Sequence, residues 1–454
     1  MAPNGPPVHW GPPSFWGWPV TPRLQPGTGW STVRGPMSVS PTSRTPEDST
    51  VPRRVWGSTA WMVLGRLWSS ICTLAVLWLC AQHLADDSFG RLTFYLALFG
   101  VLDALVDLGT GQATVQLSAQ DPGLLGSLLV RARRMRLMVG LGAAAALALG
   151  AFLMEEPDAG WIALAGLYPL THTLELSTVG LRNRIQWKPL VAMRSIASGM
   201  GLALVGAAIF MGESRAGVIL VLVASGSTIG NVLLHRVGKP LLPRGSFSAV
   251  PLKPFLRLAL PLGIAALAQQ LYFYVDNLFV RAYWGEASVG TYNVAVRIMS
   301  WSLSLAVYAA AAALPWLSRA HKREELGLAA MRLTLPLTLG AGLGVALLWP
   351  FTGDILALFG ESFRVAEDPL KLLLLAVICV HAGAPLSTAL VAARRTYSVL
   401  TLTLSALLLN VALNSLWVPT EGLIGAARAT LITEGWIALG AALALIHRPK
   451  SRVS

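Results

Sequence analysis

Charge is scarce in this chain of 454 residues: 13% are Asp, Glu, Lys or Arg, about half the fraction found in a soluble domain. With 54% hydrophobic residues and a mean hydropathy of +0.60, that scarcity excludes an ordinary water-soluble fold. Cysteine is almost absent. Cys72, Cys80 and Cys379 lie in apolar runs with no histidine or cysteine at ligand spacing, so neither a disulfide framework nor a zinc site is indicated. The glycine-rich GLGAAAALALG (140–150) lacks the Lys and Ser/Thr of a phosphate loop and reads as close helix packing. No catalytic constellation stands out, and no cofactor is expected. Residues 1–54 lack both a helical period and the apolar core of a signal peptide; Pro, Gly, Ser and Thr dominate, giving a disordered cytoplasmic tail with Met37 as an alternative start.

What the chain has in abundance is long apolar runs. About 12 spans follow Val55, each near the ~20 residues a bilayer requires: 57–82, 92–117, 137–154, 159–180, 190–211, 216–234, 256–281, 288–314, 331–350, 369–392, 398–418 and 423–446. The connections alternate in charge. RARRMR (131–136), RNRIQWK (182–188), 236–257, SRAHKR (318–323), Arg394 with Arg395, and HRPKSR (447–452) form a basic set. ADDSFG (85–90), MEEPDAG (154–160), MGES (211–214), WGEAS (284–288), 353–368 and PTEG (419–422) form an acidic set. The positive-inside rule makes the basic set cytoplasmic, with both termini. It also explains the net charge of +13 through anionic lipid headgroups, which excludes nucleic acid as the partner. Residues 121–136 read as an interfacial helix. The Pro-rich connection 236–255 divides the chain into an N-lobe (55–235, spans 1 to 6) and a C-lobe (256–447, spans 7 to 12), followed by a cytoplasmic tail (448–454). The expected architecture is an all-α polytopic bundle of two six-helix lobes around a central cavity.

Nine ionisable groups interrupt seven of these spans: Arg66, Asp103, Asp107, Glu175, Arg194, Asp276, Arg297, Arg428 and Glu434. Gln269, Tyr272 and Asp276 recur at helical spacing on one face of span 7, as Asn293 and Arg297 do on span 8. Asn410 and Asn414 sit one turn apart on span 11. A charge at the bilayer centre costs ~2.5–3.5 kcal/mol on insertion scales, so these groups point to a hydrated pathway. Asp276 and Arg297 are expected to pair across the hairpin of spans 7 and 8, and Arg66 with Asp103 and Asp107 forms the corresponding opposite-charge arrangement in the first lobe. His172 and His381 read as hydrogen-bonded packing residues.

Several segments resemble one family, the polysaccharide (lipid-linked oligosaccharide) flippases of the multidrug/oligosaccharidyl-lipid/polysaccharide exporter superfamily. They are VLGRLWSS (63–70), LADDSFGRLTFYLAL (84–98), LVDLGTGQATVQLSAQ (105–120), LPLGIAALAQQLYFYVDNLFVRAYWGEASVGTYNVAVRI (260–298), ILALFGESFRVA (355–366) and NVALNSLWVPTEGLIGAARATLITE (410–434). The N-terminal tail and Glu421 depart from the pattern. The resemblance implies an alternating-access carrier moving an undecaprenyl-pyrophosphate-linked glycan across the membrane for exopolysaccharide, capsule or O-antigen synthesis, alongside a polymerase and glycosyltransferase of the same pathway. Under it, Arg66, Arg194, Arg297 and Arg428 would bind pyrophosphate; Asp276, Asp103, Asp107, Glu175 and Glu434 would balance them and carry a coupled H+ or Na+. Gln269, Tyr272, Asn293, Asn410 and Asn414 would line the cavity. The alternatives are a cation-coupled multidrug or small-molecule antiporter, a peptidoglycan lipid-precursor flippase, and a scaffold for a glycan-assembly complex.

Overall fold

A computed structural model describes residues 46–446 apart from Ile185, Ser246, Arg323, Glu324 and Arg394. Residues 1–45 of the expected tail, Arg323, Arg394 and the 448–454 tail therefore lie outside the described residues. The helices are α1 Pro46–His83, α2 Asp86–Asp107, α3 Thr110–Gln120, α4 Leu125–Leu153, α5 Ala159–Ala165, α6 His172–Glu175, α7 Val179–Asn183, α8 Trp187–Phe210, α9 Ala216–Gly238, α10 Leu252–Lys322, α11 Leu326–Leu348, α12 Thr352–Ala357, α13 Glu367–Ala392, α14 Thr396–Glu421 and α15 Leu423–Ile446. No strand occurs among the described residues. The protein is an all-α polytopic membrane bundle.

Ten helical stretches among the described residues are long and apolar enough to cross a membrane, and two features reconcile them with twelve expected spans. First, α10 carries spans 7 and 8 in one run. Gly285 breaks it at φ 80°, ψ −178°, a backbone conformation open to glycine and strained for other residues. The chain reverses there, since Tyr292 donates to Asp276 at 2.7 Å. Second, the fourth span is broken: α5, α6 and α7 each run for about one to two turns, separated by 3₁₀ turns at Tyr168–Thr171 and Leu176–Thr178. Hydropathy sees an apolar run there, but Pro169 at the head of the first 3₁₀ turn lacks the amide a continuous helix would use.

The basic run RARRMR departs from expectation. It is neither a loop nor the end of a separate interfacial helix, because α4 is continuous from Leu125 to Leu153 and Arg136 within it is 3% exposed. The connection between the halves is also strapped down. Arg131 Nε donates to the Val250 carbonyl at 2.8 Å, and the Phe247 ring occupies the space beside Gly126.

α1 packs on α8, and α8 on α9, within the first half; α13 packs on α10, α11 and α15 within the second. The halves meet mainly along α2 and α10. A Cβ at Gly90 would lie 1.7 Å from the Glu286 carbonyl oxygen, and one at Gly263 would lie 2.3 Å from the Leu108 carbonyl carbon. The absence of side chains at these positions lets the two helices touch near both ends. α1 makes little contact with α10, leaving that flank to a cavity. Leu335, Leu339, Leu343 and Leu347 form an exposed stripe along α11, the i, i+4 pattern of a lipid-facing helix.

Candidate functional site

A cavity of about 590 Å³ lies between the halves, walled by α1, the second limb of α10, α11 and α13. Its walls are mainly apolar, from Leu67, Trp301 and Leu337 among others, with Arg66 and His381 as its ionisable groups. The Arg66 side chain makes no hydrogen bond or ion pair among the described residues. His381 Nδ1 lies 2.8 Å from the Val377 carbonyl and donates to it. The α11 wall is short of volume: Pro336 interrupts its hydrogen-bond ladder, and a Cβ at Gly340 or Gly344 would meet nothing within 4 Å.

A second cavity of about 390 Å³ lies largely in the second half. Gln269, Tyr272, Thr388 and Glu434 line it, and Gln112 of α3 reaches in from the first half. Tyr272 donates its hydroxyl to Glu434. Asp276 accepts from the Tyr292 hydroxyl and from the Asn277 amide at 2.9 Å. Asn410 donates to Thr433 at 3.3 Å, and Asn414 to the Asn410 carbonyl at 2.9 Å. These polar groups are enclosed: Asp276, Asn410, Asn414 and Glu434 are each 4% exposed or less. The Asn277 carboxamide is buried with neither nitrogen nor oxygen partnered.

The expected Asp276–Arg297 pair does not form. With the turn at Gly285, the level of Asp276 corresponds to residue 294 on the returning limb. Arg297 therefore lies about 4.5 Å farther along, at ~1.5 Å per residue, while Tyr292 meets the carboxylate first. Arg297 makes no side-chain hydrogen bond or ion pair among the described residues. It is one turn from Trp301 on the same helical face. Asn293 bridges the halves, donating to Thr93 at 3.3 Å.

In the first half the charges are knitted together by residues the sequence had placed in loops. Asp107 pairs with Arg136 rather than with Arg66. Arg136 also donates to Thr110 at 2.9 Å and to the His172 carbonyl at 2.6 Å, which compensates a guanidinium buried in the bundle. Asp103 accepts from Tyr168 at 3.0 Å and lies 3.0 Å from His172 Nε2. Glu175 binds Arg182 at 2.6 Å and lies 3.7 Å from Arg194, which donates to Asn231 at 3.3 Å. Tyr168 and Asn231 carried no sequence signal beyond a polar residue in an apolar run.

A further cluster bridges the halves at the acidic-loop end. Arg281 of α10 pairs with Glu156 of the α4–α5 connection and, at 2.5 Å, with Glu286. It also sits 4.2 Å over the Phe94 ring. Arg91 joins Glu156 at 3.3 Å. Nearby, Trp78 and Gln82 of α1 both donate to the Leu358 carbonyl, at 2.7 and 3.0 Å. Arg428 lies at this end too. It pairs with Glu421 at 2.6 Å with half its side-chain surface accessible, away from Glu434 and from both cavities.

The sequence profile described as "Polysaccharide biosynthesis protein" matches residues 55–321, more than half of the chain, and the MatE profile matches 261–416. Among solved structures, an inward-facing multidrug resistance MATE family transporter of the MOP superfamily aligns with a TM-score of 0.70 at 17% identity, over 82% of this chain and 93% of that one. The lipid II flippase MurJ in an inward closed conformation also gives 0.70, at 15% identity, over 86% and 88%. A MOP superfamily transporter from Pyrococcus furiosus, described by the reverse polarity of its binding pocket, gives 0.63 at 16% identity, over 86% and 94%. At such identities the likeness is one of fold. No curated protein sequence matches.

Proposed function

The chain belongs to the polysaccharide biosynthesis protein family, and on that premise we propose that it is an alternating-access flippase for undecaprenyl-pyrophosphate-linked oligosaccharides. The proposal places it in a bacterial inner membrane with its basic loops and termini cytoplasmic, in a pathway that supplies exopolysaccharide, capsule or O-antigen. The observation that carries this reading is the cavity on the α1 flank. Apolar walls suit a prenyl chain, while an arginine with no carboxylate partner among the described residues suits the anionic pyrophosphate, where charge-assisted contacts are strong. Arg297, equally unengaged, and Arg194, held only loosely by Glu175, extend the cationic set. Arg428, already paired near the surface, drops out of it. H+ or Na+ remains the proposed coupling ion, through the acidic groups of the two halves. A partner polymerase and glycosyltransferase belong to the same proposal.

The test is the fraction of cellular lipid-linked repeat unit exposed at the outer leaflet in wild type, a deletion strain and Arg66→Ala. Trapping of the intermediate inside by both lesions is the expected result. Normal exposure in the deletion strain rejects the proposal. A second reading, a multidrug antiporter, draws on the Glu434-lined cavity, whose acid suits a cation. It predicts that the deletion changes drug susceptibility and leaves surface glycan intact.

A further inference from the structure

The broken fourth span sets a buried imidazole between two carboxylates, with His172 Nε2 3.0 Å from Asp103 Oδ1 and Nδ1 3.4 Å from Glu175 Oε2, a placement that favours an extra proton on the ring. Tyr168 has one hydroxyl proton and donates it to Asp103 Oδ2 at 3.0 Å. Its oxygen therefore accepts from His172 Nε2, also 3.0 Å away, so that nitrogen carries a hydrogen. The other ring nitrogen, Nδ1, faces Glu175 Oε2 at 3.4 Å, and an ionised carboxylate only accepts. A hydrogen on Nδ1 or on Glu175 turns that approach from repulsion into attraction, and in both cases the unit binds one proton beyond a neutral imidazole and two carboxylates. Asp103 keeps 34% of its side-chain surface accessible while His172 keeps 10%, which gives the buried ring a route to water through the carboxylate.

The surroundings tie that proton to Arg194, a member of the proposed cationic set. From α2 the cluster faces Asp103 and Asp107; from α4, Arg136; from α7, Arg182; from α8, Arg194; from α9, the neutral Asn231. Among the groups in direct contact, Asp103, Asp107 and Glu175 stand against Arg136, Arg182 and Arg194; Arg133 of α4 and His235 of α9 lie one step off, on Ser177 at 3.0 and 2.6 Å, and the proton adds to these. Glu175 is the shared member, holding His172 on one side and Arg182 and Arg194 on the other. Arg194 is its most distant partner and the most accessible, at 42%. An anion that draws Arg194 away leaves Glu175 more fully to His172 and strengthens its grip on the proton.

Resting on the flippase reading for its anionic cargo, we infer that the Asp103–Tyr168–His172–Glu175 cluster is a proton site linked to Arg194, so that a pyrophosphate bound at Arg194 takes up a proton at His172. Linkage makes the effect reciprocal: protonation of the cluster tightens anion binding, and its loss loosens it.

The experiment is calorimetric titration of the purified full chain in lipid nanodiscs. The probe is a water-soluble pyrophosphate diester, which lacks the second phosphate ionisation near pH ~6 and so keeps constant charge. Repeating it in buffers of different ionisation enthalpy counts protons taken up. The expected result is uptake approaching one proton per bound probe, with affinity falling about tenfold per pH unit once the cluster titrates. In His172→Gln, uptake is lost and affinity becomes independent of pH, while Arg194→Gln weakens binding at every pH. Binding to wild type with no buffer dependence overturns the inference and leaves the flippase reading standing, and this holds even if the variants fail to fold. An identical pH profile in a folded His172→Gln also overturns it. Absence of probe binding at every pH rejects the inference together with the cationic cargo site beneath it.

Discussion

Removing the Glu156 charge should open the acidic-loop end of the bundle. Glu156 is the carboxylate that Arg281 of the second half and Arg91 of the first hold in common, and its side chain is 4% accessible. Stripping a buried arginine of its partner costs ~3–5 kcal/mol. Here both arginines keep a second acid, Glu286 at 2.5 Å for Arg281 and Asp158 at 3.9 Å for Arg91. The loss in Glu156→Gln should therefore be about half, roughly 2 kcal/mol, which is a factor of ~30 in a two-state equilibrium. Spin labels at Asp87→Cys and Ser362→Cys, both exposed at that end, report the separation of the halves once the three native cysteines are replaced. In nanodiscs, Glu156→Gln should add a longer-distance population that the parent lacks. In the Glu156→Gln, Arg281→Gln double variant the two effects should fall short of additivity, as for residues in contact. A distance distribution unchanged by Glu156→Gln would refute the reasoning, since the bridge would then contribute nothing to closure.

Three other expectations follow from the packing. Tyr272→Phe leaves Glu434 buried without its hydroxyl donor and should lower stability by ~1–3 kcal/mol, read as a drop in the midpoint of thermal unfolding in detergent; an unchanged midpoint would show that the contact is not needed. Asp107→Ala should cost ~3–5 kcal/mol, because Arg136 is 3% exposed and loses its carboxylate, and Asp107→Asn should recover part of that in the same assay. Arg428→Ala removes an accessible pair with Glu421 and should change stability by ~1 kcal/mol or less, with glycan export in cells at the wild-type level.

The sequence made the spans legible because hydrophobic length is a local property, and Gly285 in WGEAS marked the one sharp reversal hidden inside a continuous helical run. The break in the fourth span was not legible. Apolar residues between 159 and 180 score alike in a helix or in short turns, and the hydrogen bonds that tolerate the break come from distant residues such as Arg136. Charge was read by position along the chain, which put Arg136 and Arg182 at the membrane surface, whereas Asp107 and Glu175 recruit them in three dimensions. Asp276 and Arg297 were matched by sign and approximate depth. Depth was too coarse a measure, because a phenol one and a half turns nearer the hairpin bend met the carboxylate first. The exposed stripe of α11 leucines, by contrast, is set by spacing along a single helix.

The thin wall at α11 has one more consequence. Gly340 and Gly344 leave open space beside the cavity, so in a bilayer the acyl chains would be the remaining masonry, and replacing them with detergent should alter the chamber. A prenyl chain arriving from the membrane there would exchange one hydrocarbon neighbour for another. Under the flippase proposal no apolar surface would pass through water on the way, so a lipid-linked cargo would enter with almost no change in hydrophobic free energy, and discrimination would be left to whatever meets its polar end.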